Sequence, residues 1–170
     1  MISRKRGEGE IRAEITQSYN RLWRYCVGLT GCRDQADDLA QRTALRGLER
    51  SGHYQAGTSP RAWLFTIARR LWLNDLKAEA VRRGSGRVPV DETDLQDLGP
   101  PPETNIFVGE VFRAIGKLPA SQRETVMLVY VEGLRYRDAA AVLDVPIGTV
   151  MSRLAAARKR ISETLGEERD

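Results

Sequence analysis

The chain has 170 residues, 41% hydrophobic and 29% charged, and 27 Lys and Arg against 23 Asp and Glu leave a net charge of +4. That length holds one ordinary domain or two small ones, and so slight an excess makes the placement of charge more informative than its sum. No stretch is apolar for the roughly 20 residues that a membrane-spanning helix needs, and "MISRKRGEGEIRAEI" lacks the apolar segment of a secretory signal. Neither the wide Cys26–Cys32 spacing nor the single His53 fits a metal or disulfide motif. The expectation is a cytoplasmic protein without direct membrane insertion, with no metal, no cofactor and no catalytic residues.

In chain order, "EITQSYNRLWRYCVGLTG" puts Ile15, Tyr19, Leu22, Trp23 and Cys26 at three- and four-residue intervals, and Gly28 and Gly31 offer ends to that helix. "DQADDLAQRTALRGLER" sets Ala36, Leu39, Ala40, Thr43, Ala44 and Leu48 on one stripe, with Asp34 as an N-cap candidate. After the loop "SGHYQAGTSP", Ser59 and Pro60 read as cap and first-turn proline of a long helix. That helix, "RAWLFTIARRLWLNDLKAEAVRR", has its core stripe at Leu64, Ile67, Ala68, Leu71 and Ala78. Gly84 to Asn105 combines proline, glycine and acidic residues without an apolar period and reads as an extended linker. Beyond it, "IFVGEVFRAIGKL" and "SQRETVMLVYVEG" are amphipathic helices. The predicted fold is all-α: two small helical lobes, 1–83 and 107–170, joined by an acidic Pro/Gly-rich linker over 84–106.

The last stretch, "GLRYRDAAAVLDVPIGTVMSRLAAARKRI", reads as a helix-turn-helix. Gly133 ends one helix and Tyr136 to Leu143 forms the next. Asp144 sits at the reversal, where left-handed backbone favours Gly, Asn or Asp. In the following helix Val150, Leu154, Ala157 and Ile161 share a buried stripe facing Ala140 and Leu143. Ser152, Ala156 and Lys159 then lie opposite the core, with Thr149, Arg153 and Arg160 beside them. Small, hydroxyl-bearing and cationic residues are what a major groove accommodates. Any one such helix also reads as the solvated face of a bundle; the tight turn and the alanine-rich first helix favour DNA.

"LPASQRETVMLVYVEGLRYRDAAAVLDVPIGTVMSRLAAARKRI" resembles the promoter-binding lobe of bacterial extracytoplasmic-function sigma factors (group 4). "DQADDLAQRTALRGL" is similar to their segment that grips the polymerase clamp, and "SPRAWLFTIARRLWLNDLKAEAVRR" to the one that melts and reads the minus-ten element. The resemblance runs from about residue 15 to 165 in the family's order. It implies a sigma factor that binds core RNA polymerase through clamp and flap, recognises promoter DNA, initiates transcription of a stress- or signal-responsive regulon, and is held by an anti-sigma factor. The alternative, a stand-alone helix-turn-helix transcriptional regulator, accounts for the C-terminal third only.

Carried onto this chain, the resemblance marks three sets of residues. Asp34, Asp37, Asp38, Leu39 and Gln41 would contact polymerase, and Asp34, Asp38 and Gln41 fall at i, i+4 and i+7 on one helical face; Asp34 and Asp37 also read as helix-dipole partners. His53, Tyr54, Trp63, Thr66, Arg69, Arg70, Asn74 and Lys77 would hold the minus-ten strand. They combine cations for backbone, an amide for base edges and aromatics for stacking, although Trp63 also reads as core. Arg135, Tyr136, Thr149, Ser152, Arg153, Ala156 and Lys159 would meet the minus-thirty-five element. The chain departs from the family pattern at Arg70, where asparagine is common, and at Met151, where many relatives have lysine.

Overall fold

Across residues 2–84 and 106–167, which this computed structural model describes, the chain is helical with no strand. The expected linker lies outside the described residues except for its two ends. α1 spans Ile2–Thr30 and is divided at Ser18, whose φ of −125° and ψ of 19° leave the helical region. It stops where Gly31 takes φ 69°, a conformation nearly free of cost only for glycine. The helix starts twelve residues ahead of the stretch from Glu14 that periodicity marked, and its early part is anchored by fully buried Ile11 against Tyr54 and Leu64.

α2, Arg33–Arg50, is capped by Cys32 in extended conformation. Asp34 is therefore not the N-cap; it sits in the first turn, where a carboxylate meets the positive end of the helix dipole. A 3-10 turn at Ser51–His53 leads to α3, Pro60–Arg82. Here the cap is the expected one, with Ser59 Oγ accepting from the Ala62 amide at 3.1 Å. α2 and α3 pack so closely that a Cβ on Gly47 would come within 2.6 Å of Leu64 Cδ2.

α4 (Ile106–Gly116) and α5 (Ala120–Val126) follow, and α5 widens into a π-helical turn at Met127–Val131. α6 (Tyr136–Leu143) and α7 (Ile147–Glu167) complete the chain. Ala139, Ala140, Val142 and Leu143 of α6 meet Val150, Leu154 and Ala157 of α7, all buried. The small alanines let the two helices cross closely.

The core of α3 differs from the expected stripe. Phe65 is its largest buried side chain, stacked on Tyr25 at 4.5 Å between ring centroids, while Ala78 is exposed. The reason is that α3 is covered on two sides: α1 and α2 pack on one, α6 on another. α1–α3 and α4–α7 are consequently closed on each other, and one apolar cluster runs from Leu22 and Phe65 through Met127 to Leu154.

Candidate nucleic-acid interface

The helix-turn-helix has the geometry that its sequence implied. α6 and α7 meet at 100°, within the range of DNA-binding helix pairs. Asp144 adopts φ 56° and ψ 49° and carries the reversal, with the Val145 amide returning to Ala140 O at 3.1 Å. Arg135 and Tyr136 are exposed at the start of α6. Ser152 and Lys159 are exposed on α7, and Ser152 Oγ turns back onto Thr149 O at 3.0 Å. Thr149, Arg153 and Ala156 are half-buried. Ala156 therefore does not lie opposite the core, because α7 packs on α4 and α5 as well as on α6.

Arg153 shows the consequence most clearly. It lines a cleft of about 180 Å³ together with Arg69, Trp72 and Leu76 of α3 and with Glu124 of α5. Arg69 Nε pairs with Glu124 Oε1 at 2.9 Å, and Tyr25 donates to the same oxygen at 2.9 Å. Burial, opposed mainly by Arg69, raises the Glu124 carboxyl above its ordinary range. The two arginines assigned to different DNA elements thus line one cleft.

Along α3 the expected minus-ten residues divide into two faces. Arg70, Asn74 and Lys77 recur at i, i+4 and i+7 and are all exposed. Thr66 and Arg69 are half-buried, and the Thr66 hydroxyl donates to Ala62 O at 2.9 Å. Trp63 is half-buried with its ring edge-on to Tyr54 at 5.6 Å. Tyr54 is itself only 5% exposed and donates to Thr58 O at 2.8 Å. Its ring is a packing element here, whereas His53 is exposed at the tip of the turn.

The edge expected to face polymerase differs from expectation at one residue. Leu39 is 1% exposed and belongs to the core beneath α2, so it supports this edge without reaching a partner. Leu48, read as core from its spacing, is on the surface instead, as is Leu45 at 60% exposure. Asp34, Asp38, Gln41, Leu45 and Leu48 step along one exposed face at four- and three-residue intervals, so the acidic edge continues into an apolar one. Asp38 pairs with Arg42 at 2.8 Å, and Asp37 accepts from the Trp23 indole.

Among the described residues, no group of three His, Cys, Asp or Glu is placed to hold a metal, and no single helix is long and apolar enough to cross a membrane. Burial raises the Cys26 thiol to about 12, which leaves it a packing group without thiolate character.

The Sigma-70 region 2 family matches residues 15–82, and Sigma-70, region 4 matches residues 109–161. Over 157 residues the chain is 36% identical to the ECF RNA polymerase sigma factor EcfG of Rhodopseudomonas palustris (strain TIE-1), covering 91% of this chain and 84% of that protein. The chain belongs to the extracytoplasmic-function sigma factor family. It is also 33% identical over 164 residues to the ECF sigma factor SigC of Mycobacterium tuberculosis, covering 92% of this chain and 84% of that one.

Among solved structures, the sigma factor resembles RpoE of Bartonella quintana, determined in complex with the anti-sigma factor NepR. The TM-score is 0.75 at 27% identity, covering 92% of this chain and 97% of that chain. CnrH, solved with the cytosolic domain of CnrY, shares the fold at a TM-score of 0.66 and 21% identity over 98% and 96% of the two chains. Family membership makes the protein a transcription initiation factor and not an enzyme. The region 2 match falls within α1–α3, and the region 4 match within α4–α7.

Proposed function

We propose that this sigma factor binds core RNA polymerase in the cytoplasm, directs it to promoter DNA and starts transcription of a stress- or signal-responsive regulon. Residues 1–83 serve as the clamp-binding and minus-ten lobe, 84–106 as the linker, and 107–170 as the minus-thirty-five lobe. The observation that carries the reading is the pairing, on one chain, of an exposed Arg70–Asn74–Lys77 face on α3 with a helix-turn-helix whose helices cross at 100°. A stand-alone regulator has use for the second feature only. The likeness to a sigma factor solved with NepR covers 92% of the chain and hence both lobes. It supports control by an anti-sigma factor.

The face of α2 supplies the test. Asp38→Ala combined with Gln41→Ala should weaken binding to immobilised core RNA polymerase by at least about tenfold, about 1.4 kcal/mol, while circular dichroism shows helicity unchanged. Full affinity in the double variant removes the clamp assignment.

A further inference from the structure

The free side of α7 is not the side that residue spacing suggested. Thr149, Arg153 and Ala156 are half-buried, whereas Ile147, Gly148, Met151, Ser152, Ala155 and Lys159 are exposed. At helical pitch Gly148 and Ala155 run down the middle of this side, with Ser152 and Lys159 along one edge and Ile147 and Met151 along the other. The middle is without bulk. A Cβ on Gly148 would meet nothing within 4 Å, so no packing inside the chain requires the glycine there. Ile147 and Met151 are 50% and 54% exposed and stand one turn apart, side by side. Single exposed apolar residues are ordinary on a protein surface, but two large neighbours leave a continuous apolar patch in water. Further along the same edge Arg158 is held in place, its Nη1 donating to the Tyr130 hydroxyl at 2.7 Å.

We propose that Met151, flanked by Ile147, is a specificity-determining residue for the upstream promoter element and selects thymine through contact with its C5 methyl group. The inference rests on the promoter-binding reading above and deepens it. A recognition helix presents the residues of its first turns to base edges, and Ile147 and Met151 stand in the first two turns of α7. The major groove admits a helix, and the line of Gly148 and Ala155 lets groove and helix approach closely. Most groups that base pairs display there are hydrogen-bond donors and acceptors, which gain nothing from an isoleucine or a thioether. The thymine methyl is the apolar one. Methionine suits it, because an unbranched, polarizable side chain adjusts to an irregular apolar surface. Ser152 and Lys159 on the opposite edge carry the polar and phosphate contacts assigned above, so the apolar pair continues that face. A protein partner would also cover the pair, but without regard to a methyl group on DNA.

The test uses holoenzyme and a duplex promoter that wild type selects from a pool randomised across the upstream element. Each thymine in that element is then replaced in turn by deoxyuridine, which removes the methyl group and leaves base pairing intact. At one or two positions the replacement should weaken wild-type binding roughly fourfold, the worth of one buried methyl group. Met151→Ala should bind the thymine duplex about as weakly as wild type binds the uracil one, and should lose its response to the replacement at that position. Ile147→Ala should blunt the response less. Both side chains are exposed, so the melting temperature of each variant should match wild type. Wild-type binding indifferent to every replacement, or a Met151→Ala variant that keeps its full response, overturns the inference and leaves the promoter-binding reading standing. Loss of core polymerase binding by Met151→Ala, with the thymine response intact, makes the pair a protein contact and overturns it too. A holoenzyme that selects no upstream sequence overturns the inference and the promoter-binding reading together.

Discussion

Arg153 and Lys159 sit on the same helix, yet they meet different surroundings and so make different predictions. Arg153 is half-buried in the inter-lobe cleft, while Lys159 is exposed with Glu163 3.9 Å away. Once the lobes part, Arg153 has the reach for a bidentate contact to guanine, and Arg153→Ala should cost about 1–3 kcal/mol and relax preference at one base pair. Lys159→Ala should weaken all sequences alike and lower the salt dependence by about one counterion. Holoenzyme binding to a randomised minus-thirty-five panel at two salt concentrations separates the two; an Arg153→Ala profile with its preference intact makes the arginine a backbone contact. Glu124 carries the pH prediction. Its carboxyl is raised by burial in the folded protein, so its contribution to stability is complete below the ordinary value of about 4.3 and is lost as pH rises through the raised one. On acidification across that window, wild type should gain thermal stability relative to Glu124→Gln. A difference in melting temperature that is flat with pH contradicts the assignment.

At the scale of the element, α3 is where sequence and structure part company. Its start was legible, because Ser59 and Pro60 announce a cap and a fixed first turn. The Asp144 turn and the α7 stripe were legible for the same reason: each depends on residues close in sequence. The surfaces of α3 were not. A helix covered by α1 and α2 on one side and α6 on another has no single apolar stripe, so Arg69 was grouped with Arg70 although the two face apart. Leu48 fails similarly, since three- and four-residue spacing marks a face without fixing which of its edges meets the core, whereas the same spacing placed Leu39 in the core, where it lies. The divided α3 makes its own prediction. Alanine at Arg70, Asn74 and Lys77 together should leave closed-complex binding at the upstream element nearly intact and depress permanganate reactivity of the melted strand. Equal loss of both places these residues in general affinity instead.

For the whole molecule, the closure of the lobes is the feature that no local pattern announced. Its ion pairs join residues 55 and 108 positions apart, and the acidic partners, Glu124 and Glu132, lie inside segments that read as ordinary amphipathic helix. The two-lobe organisation could be anticipated from the linker's composition, whereas the seam depends on side chains meeting across it. Closure also gives Arg69, proposed above as a DNA contact, a carboxylate partner in Glu124 across the seam. If this chain acts on DNA as a polymerase subunit, both lobes engage one promoter. The most direct measurement is transcription from duplex DNA carrying a randomised upstream and minus-ten region, with core RNA polymerase supplied alone, with the chain, or replaced by the chain alone. Transcripts that require chain and core together, and that select a sequence at both elements, are the expected result. Tight, half-site-specific binding by the chain alone, with no selected transcript when core is added, contradicts it.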